Sequence, residues 1–155
     1  LRDGMTTEKN FLIGSGQLTY EAWIKPISGG GNYRAYVGLQ PSVAISESSV
    51  NSIYFQYHSS TSAYWQCKSV KSSTTETTTT AVLGAEAWFL LKIVVSSNGS
   101  SIEFFIDDVS VATHSTQVPA STSAYALFLK GASTGNGPMR VDAVKVSISL
   151  TGDRA

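Results

Sequence analysis

Residues 87–112 read AWFLLKIVVSSNGSSIEFFIDDVSVA, and the fold is decided in this stretch. Ala87-Trp88-Phe89-Leu90-Leu91 is near-continuous apolar sequence, the pattern of a strand buried on both faces. Ser97-Asn98-Gly99-Ser100 contains Asn-Gly, the strongest short-range hairpin signal, because both central residues of a type I′ turn need positive φ. Ile102, Phe104 and Ile106 then alternate with Glu103 and Phe105, the two-residue period of a half-buried strand. Asp107-Asp108 makes a second tight turn, and Val109 and Val111 begin the return strand. Two consecutive hairpins form a meander.

The same period extends in both directions. Upstream, Leu18, Tyr20, Ala22 and Ile24 alternate with Thr19, Glu21, Trp23 and Lys25, and Pro26 with Gly29, Gly30 and Gly31 closes the segment. Tyr33, Ala35, Val37 and Leu39 alternate with Arg34, Tyr36, Gly38 and Gln40, up to Pro41. Ile53, Phe55 and Tyr57 alternate with Tyr54, Gln56 and His58, and Tyr64 to Lys68 reads as the hairpin partner of that strand. Ser69 to Thr80 (SVKSSTTETTTT) is low in complexity; threonine favours strands, which fits an exposed edge strand followed by a loop. Downstream, Tyr125, Leu127 and Leu129 form another strand, and Gly131 to Pro138 a loop. In the last strand Val144, Val146 and Ile148 share one phase and Met139 and Val141 the other, a slip that predicts a β-bulge near Asp142-Ala143. No window has helical periodicity, and neither a repeat nor a linker divides the chain. Nine to eleven strands at these spacings fit a sandwich or a barrel, and the expectation is one all-β domain over residues 1–155, a two-sheet antiparallel β-sandwich of jelly-roll type with Trp65 and Trp88 in its core.

Composition narrows the function classes. Charged residues make up 14% of the 155 residues, against about 25% in an average domain. Ser and Thr take over the surface role. Eleven basic and eleven acidic residues cancel, and no basic cluster exists to displace counterions from a nucleic acid. Zero net charge also removes a repulsion that keeps copies apart, which favours a homo-oligomer or a place in a larger assembly. Cys67 is the one cysteine, so no disulfide forms within the chain, and it reads as a small core residue. The longest apolar stretch, residues 87–95, is broken by Lys92 and too short to span a bilayer, so no membrane insertion is expected. The first residue is Leu1 rather than Met, which reads as a fragment of a longer protein or a processed form.

Three segments carry a family resemblance. Tyr20-Glu21-Ala22-Trp23-Ile24-Lys25-Pro26 resembles an early strand of concanavalin A-like and laminin G-like sandwiches. Trp88 to Lys92, continued through Ile106-Asp107-Asp108-Val109, resembles the meander of that group, and Val141 to Val146 is similar to its final strand. The likeness covers about residues 18–148 and rests on fold motifs rather than active-site motifs. Asp108 departs from it, since the group usually has glycine there; aspartate tolerates left-handed geometry better than most residues, so the turn is expected to survive. Such domains occur on bacteriophage tail fibres and other virion proteins, and as carbohydrate-binding modules of secreted enzymes.

Catalytic patterns are missing. A glycosidase needs two carboxyl groups about 5–5.5 Å apart for retention or about 6.5–9.5 Å apart for inversion. The Glu-x-Asp-x-(x)-Glu run of the glucanases that the resemblance brings to mind is absent, as are the Arg- and His-bearing strand motifs of sandwich-fold lyases. Glu103 and Asp107 are four strand positions apart, roughly 13 Å. His58 and His114 have no metal-ligand spacing, the Gly131–Gly137 loop lacks a following Lys-Ser/Thr, and Asp107, Asp108 and Asp142 read as turn and bulge acids rather than a calcium rim. No metal or cofactor is expected.

What the strands offer instead is a face. The out-of-core phases of adjacent segments carry Arg34, Tyr36 and Gln40, then Tyr54, Gln56 and His58, then Tyr64, Gln66 and Lys68. Rings that stack on the C–H faces of sugars, beside amides and a guanidinium that pair with hydroxyls, make a glycan-binding surface. Trp23 has the out-of-core phase of its own strand and is a candidate to join it. The competing reading is an ordinary second sheet face, covered by loops or a neighbouring subunit. The expectation is a non-enzymatic binding or structural domain of a phage virion protein such as a tail fibre, at the virion surface and trimeric if in a fibre. Its partner would be a host-surface glycan or another virion protein. The alternative is a carbohydrate-binding module of a secreted polysaccharide-degrading enzyme.

Overall fold

The computed structural model describes residues 8–27, 33–40, 51–84, 86–120, 122–125 and 139–150. Eleven strands run through them: β1 (Glu8–Phe11), β2 (Gly16–Pro26), β3 (Arg34–Leu39), β4 (Ile53–His58), β5 (Ser62–Lys71), β6 (Thr74–Leu83), β7 (Phe89–Val95), β8 (Ile102–Ile106), β9 (Val109–His114), β10 (Thr122–Tyr125) and β11 (Met139–Leu150). No helix occurs among the described residues. The strands form a five-stranded sheet in the order β11-β2-β7-β8-β9, a four-stranded sheet in the order β3-β4-β5-β6, and a small pair β1-β10. Every pairing is antiparallel. The Gly29–Gly31 and Gly131–Pro138 loops and the strand expected at Leu127 and Leu129 lie outside the described residues.

The two large sheets face each other through the residues that alternation selected. Leu18, Tyr20, Ala22 and Ile24 of β2 are buried, with Leu91, Ile93 and Val95 of β7 and Ile102, Phe104 and Ile106 of β8 beside them. Ala35, Val37, Leu39, Ile53, Phe55, Tyr57, Trp65 and Cys67 line the opposing sheet. The aromatic centre joins both layers. Trp65 meets Phe89 edge-on at 5.8 Å between ring centres, and Phe55 meets Phe104 at 5.3 Å. Trp65 is in the core as expected, but Trp88 is 42% exposed, a correction. The apolar run in which Trp88 sits is not buried on both faces either: along β7, buried Phe89, Leu91, Ile93 and Val95 alternate with half-buried Leu90, Lys92 and Val94. Those outer residues keep part of their surface in contact with water.

Turn chemistry differs from the expectation at one hairpin. Asn98-Gly99 does sit between β7 and β8, yet only Gly99 has positive φ, at 69°. Ser96 and Ser101 pair through their backbones across a four-residue loop, and Asn98 Oδ1 accepts from the Ser100 N–H at 3.1 Å. The two-residue turns with both central φ values positive are elsewhere and contain no glycine. Asp107 (51°) and Asp108 (63°) join β8 to β9, and Ser72 (48°) and Ser73 (73°) join β5 to β6. The low-complexity segment is thus a hairpin, in which β6 is the edge strand of its sheet and follows the turn. The bulge expected near Asp142-Ala143 is present: Val141 pairs with Ile24 and Ala143 with Trp23, so Asp142 is extra. It brings Val141 and Val144 onto the same side of β11.

One histidine links the sheets. His114 of β9 is buried, with Nδ1 2.8 Å from Ser69 Oγ on β5 and Nε2 3.0 Å from Thr78 Oγ1 on β6. A neutral imidazole has one donor and one acceptor nitrogen, which matches two hydroxyls that can each act either way. Its ring also packs against Phe104 at 4.9 Å. Burial lowers the pKa of His114, opposed by the nearby Glu76 carboxylate.

Candidate functional site

The topology brings the polar-aromatic segments together as neighbouring strands of one sheet. Arg34 pairs with His58, Tyr36 with Gln56 and Gly38 with Tyr54 between β3 and β4. Gln56 pairs with Gln66 and Tyr54 with Lys68 between β4 and β5. Gln66 and Lys68 then face Thr79 and Thr77 of β6. The outer face of the four-stranded sheet therefore carries two transverse rows, Tyr36-Gln56-Gln66-Thr79 and Gly38-Tyr54-Lys68-Thr77.

This face has a closed and an open part. Tyr36, Tyr54 and Val70 are buried and form a cluster of their own, separated from the main core by the sheet. Tyr36 and Tyr54 lie 6.0 Å apart at 56°. Gly38 makes that approach possible: a Cβ there would lie 2.6 Å from Tyr54 Cα, and its φ of +154° is one that other residues rarely adopt. Gln40, Gln56 and His58 are buried as well. Toward β6 the face opens. Gln66 and Lys68 are half-buried, Thr77 and Thr79 are exposed, and Tyr64 is 42% exposed opposite Leu83 at 54%.

Hydrogen bonds organise both parts. Arg34 Nε donates to His58 Nε2 at 2.9 Å, which leaves the His58 proton on Nδ1, where it meets Thr61 Oγ1 at 2.9 Å. Ser60 Oγ is also 2.9 Å from Nε2. Gln66 Nε2 donates to Thr79 Oγ1 at 3.2 Å, bridging β5 and β6. Buried Gln56 Oε1 has no hydrogen-bond partner among the described residues. Among the described residues, no carboxylate of β3–β6 stands on this face: Glu76 is the only acid in these strands, and its register with Ser69 turns it to the other side. There it accepts from the Thr116 N–H, the Thr116 hydroxyl and the Gln117 N–H. Desolvation works against its charge, but those donors outweigh it and lower its pKa.

Trp23 does not join this patch. It lies on β2 in the five-stranded sheet, on the opposite outside of the sandwich, and is 43% exposed. Among the described residues no three His, Cys, Asp or Glu side chains gather as a metal site. Asp107 accepts from the Leu90 N–H at 2.8 Å and Asp108 pairs with Lys92, so both tie the β8–β9 turn to the neighbouring strand β7.

With two facing antiparallel sheets established, comparison with known proteins becomes informative. A family profile described as the concanavalin A-like lectin/glucanases superfamily matches residues 2–148. The chain belongs to that superfamily. Among solved structures, a Caenorhabditis elegans galectin is similar over 94% of this chain and 92% of its own, at 15% identity and a TM-score of 0.58. A Bacillus licheniformis beta-glucanase is similar over 91% of this chain and 69% of its own, at 14% identity and a TM-score of 0.63. A Bacillus subtilis carbohydrate-binding module shares the fold over 84% of this chain and 74% of its own, at 13% identity and a TM-score of 0.50. Comparison with curated protein sequences finds no match. At these identities the likeness is one of fold.

Reading the concanavalin A-like chain by strand phase alone passes over Thr77, Thr79 and Leu83, the β6 side of the open strip. The threonine run has no apolar alternation to reveal its register. The Ser72-Ser73 turn supplies it, and only pairing with β5 displays it.

Proposed function

We propose that this domain binds saccharide without transforming it, through the open strip of Tyr64, Gln66, Lys68, Thr77 and Thr79. The observation that carries this reading is the composition of the strip: a half-exposed ring beside an amide, an ammonium and hydroxyls, with no carboxylate among the described strand residues of that face. The ring suits the C–H face of a pyranose, and the polar groups suit its hydroxyls. Glycoside hydrolysis needs two carboxyl groups flanking the bond, and the described strand residues of this face supply neither. Buried Tyr36, Tyr54 and Gln56 back the strip rather than touch the ligand. A galectin and a carbohydrate-binding module among the similar folds support the same class of ligand.

The setting we propose is the surface of a phage virion, as part of a tail fibre or similar appendage, trimeric in a fibre and contacting host-surface glycan or another virion protein. The quiet Ser/Thr-rich surface and zero net charge support it. A carbohydrate-binding module of a secreted polysaccharide-degrading enzyme is the second reading, favoured by the similarity to the Bacillus subtilis module. A glycan array with the intact chain, repeated with Tyr64→Ala and Gln66→Ala, tests the ligand class. Binding weakened about tenfold or more by Tyr64→Ala is expected, the loss of one aromatic anchor. Binding that neither change alters, or an array with no signal, would remove the strip as the site.

A further inference from the structure

We propose that the outer face of the five-stranded sheet carries a second saccharide site, in which the Trp23 indole stacks on a sugar ring and Glu21 and Lys145 engage its hydroxyls. A shallow depression of about 200 Å³ lies there, lined by Glu21, Trp23, Leu90, Ala143 and Lys145. Its layout follows from strand register. Ala143, Trp23 and Leu90 form one transverse row and Lys145, Glu21 and Lys92 the next. The β-bulge decides what stands beside the indole. Val141 pairs with Ile24, so an unbroken ladder would set the Asp142 carboxylate opposite Trp23; the extra residue sets the Ala143 methyl there instead. The small side chain leaves one edge of the indole open.

The chemistry suits a sugar. Half of a large apolar ring is left in water, next to an ammonium and a carboxylate 3.6 Å apart. A surface ion pair of this kind gains little Coulomb energy in water and loses side-chain entropy, so folding gains little from it. To a ligand it offers a donor and an acceptor side by side, which a vicinal diol can satisfy together. The depression is smaller than the roughly 300–1,000 Å³ pockets that enclose drug-sized molecules, so it accommodates a single ring and leaves the rest of a glycan along the sheet. Lys25 and Arg140, paired in the row beyond Trp23, would favour a ring bearing a carboxylate. The site shares no residue with the Tyr64 strip and stands or falls independently of it.

Titration of the isotope-labelled chain with neutral hexasaccharides of glucose, galactose and mannose, and separately with oligogalacturonate and sialyllactose, tests the proposal through the Trp23 indole N–H resonance. Saturable movement with at least one set is expected. Read through the backbone amide resonances of Glu21, Leu90 and Lys145, which persist without the indole, Trp23→Ala should weaken that binding about tenfold or more, Trp23→Phe should retain most of it, and Tyr64→Ala should leave it unchanged. A response to the neutral set supports ring stacking alone, and a response confined to the acidic set adds Lys25 and Arg140 to the site. Failure of every probe to move the resonance at millimolar concentration, or affinity untouched by Trp23→Ala, overturns the proposal.

Discussion

The two sheets have the same alternation in sequence and turn different outer faces to their surroundings. Outside the four-stranded sheet, Tyr36, Tyr54, Gln56 and His58 are buried, and the strip toward β6 is more open. Outside the five-stranded sheet, Glu21, Leu90, Lys92 and Phe105 are half-buried and Trp23 is exposed. Charges there are handled pairwise: Lys92 pairs with Asp108 and lies 4.9 Å from the centre of the Phe105 ring, and Ser110 donates to Glu103 at 2.7 Å. Phase tells which side of a sheet a residue leaves from. Whether that side is then covered is a property of the rest of the chain. An aromatic residue on an outer face is consequently buried in one place, as at Tyr36 and Tyr54, and open to solvent in another, as at Tyr64 and Trp23.

The largest expected effects test that contrast directly. Tyr54→Ala removes a buried ring and should cost about 3–5 kcal/mol of unfolding free energy in urea titration, the range of large-to-small core changes. Trp23→Ala removes a larger ring from the other face and should cost only about 1 kcal/mol, because half of it is already in water. Equal costs would mean that the two faces are covered alike, and the contrast would be lost.

A smaller effect concerns the pin between the sheets. His114 is held neutral by burial, so its folded pKa lies below the ordinary 6.5 of the unfolded chain. As pH falls below 6.5 the unfolded state takes up the proton first. The stability from this group is therefore complete above pH 6.5 and declines as pH falls through the folded pKa. Urea midpoints should fall between pH 7 and pH 5, and His114→Gln should flatten that slope. A variant as pH-sensitive as the parent would remove His114 as the cause. Glu76 has the same sign at lower pH: its carboxyl is held below the ordinary 4.5, so its contribution disappears as the solution is acidified past that value.

How much of this was legible in the sequence depends on the range of the signal. Core phase is local, and Leu18 to Ile24, Ile53 to Tyr57 and Ile102 to Ile106 point inward as alternation requires. The bulge at Asp142 was legible too, as a slip between Val141 and Val144. Sheet membership is not local. Trp23 was given the right phase and the wrong neighbours, because β2 is inserted between β7 and β11, about 70 and about 120 residues away in the chain. Turn type also escaped composition: Asn98-Gly99 closes a wider loop, while Ser72-Ser73 and Asp107-Asp108 adopt the left-handed pair. Strand twist and register select the tight turn, and residues that tolerate positive φ accept it. Trp88 misled because a short apolar run looks the same whether one face or both are buried.

The smallest expected effect separates stability from binding at the Glu21–Lys145 pair. Both side chains reach solvent, at 28% and 70% exposure, and their charged atoms are 3.6 Å apart. An exposed pair of that geometry gains little Coulomb energy in water and loses side-chain entropy to hold its position. Lys145→Gln should consequently change the urea midpoint by less than the equivalent of about 0.5 kcal/mol, and added salt should not alter that difference much. The same substitution keeps a hydrogen-bond donor but removes the charge. If Lys145 serves the depression beside Trp23, Lys145→Gln should weaken acidic saccharides more than neutral ones while the fold stays intact. A large loss of stability instead would show that the pair is a structural clamp, and the open face of the five-stranded sheet would then be held together for folding rather than arranged for a ligand.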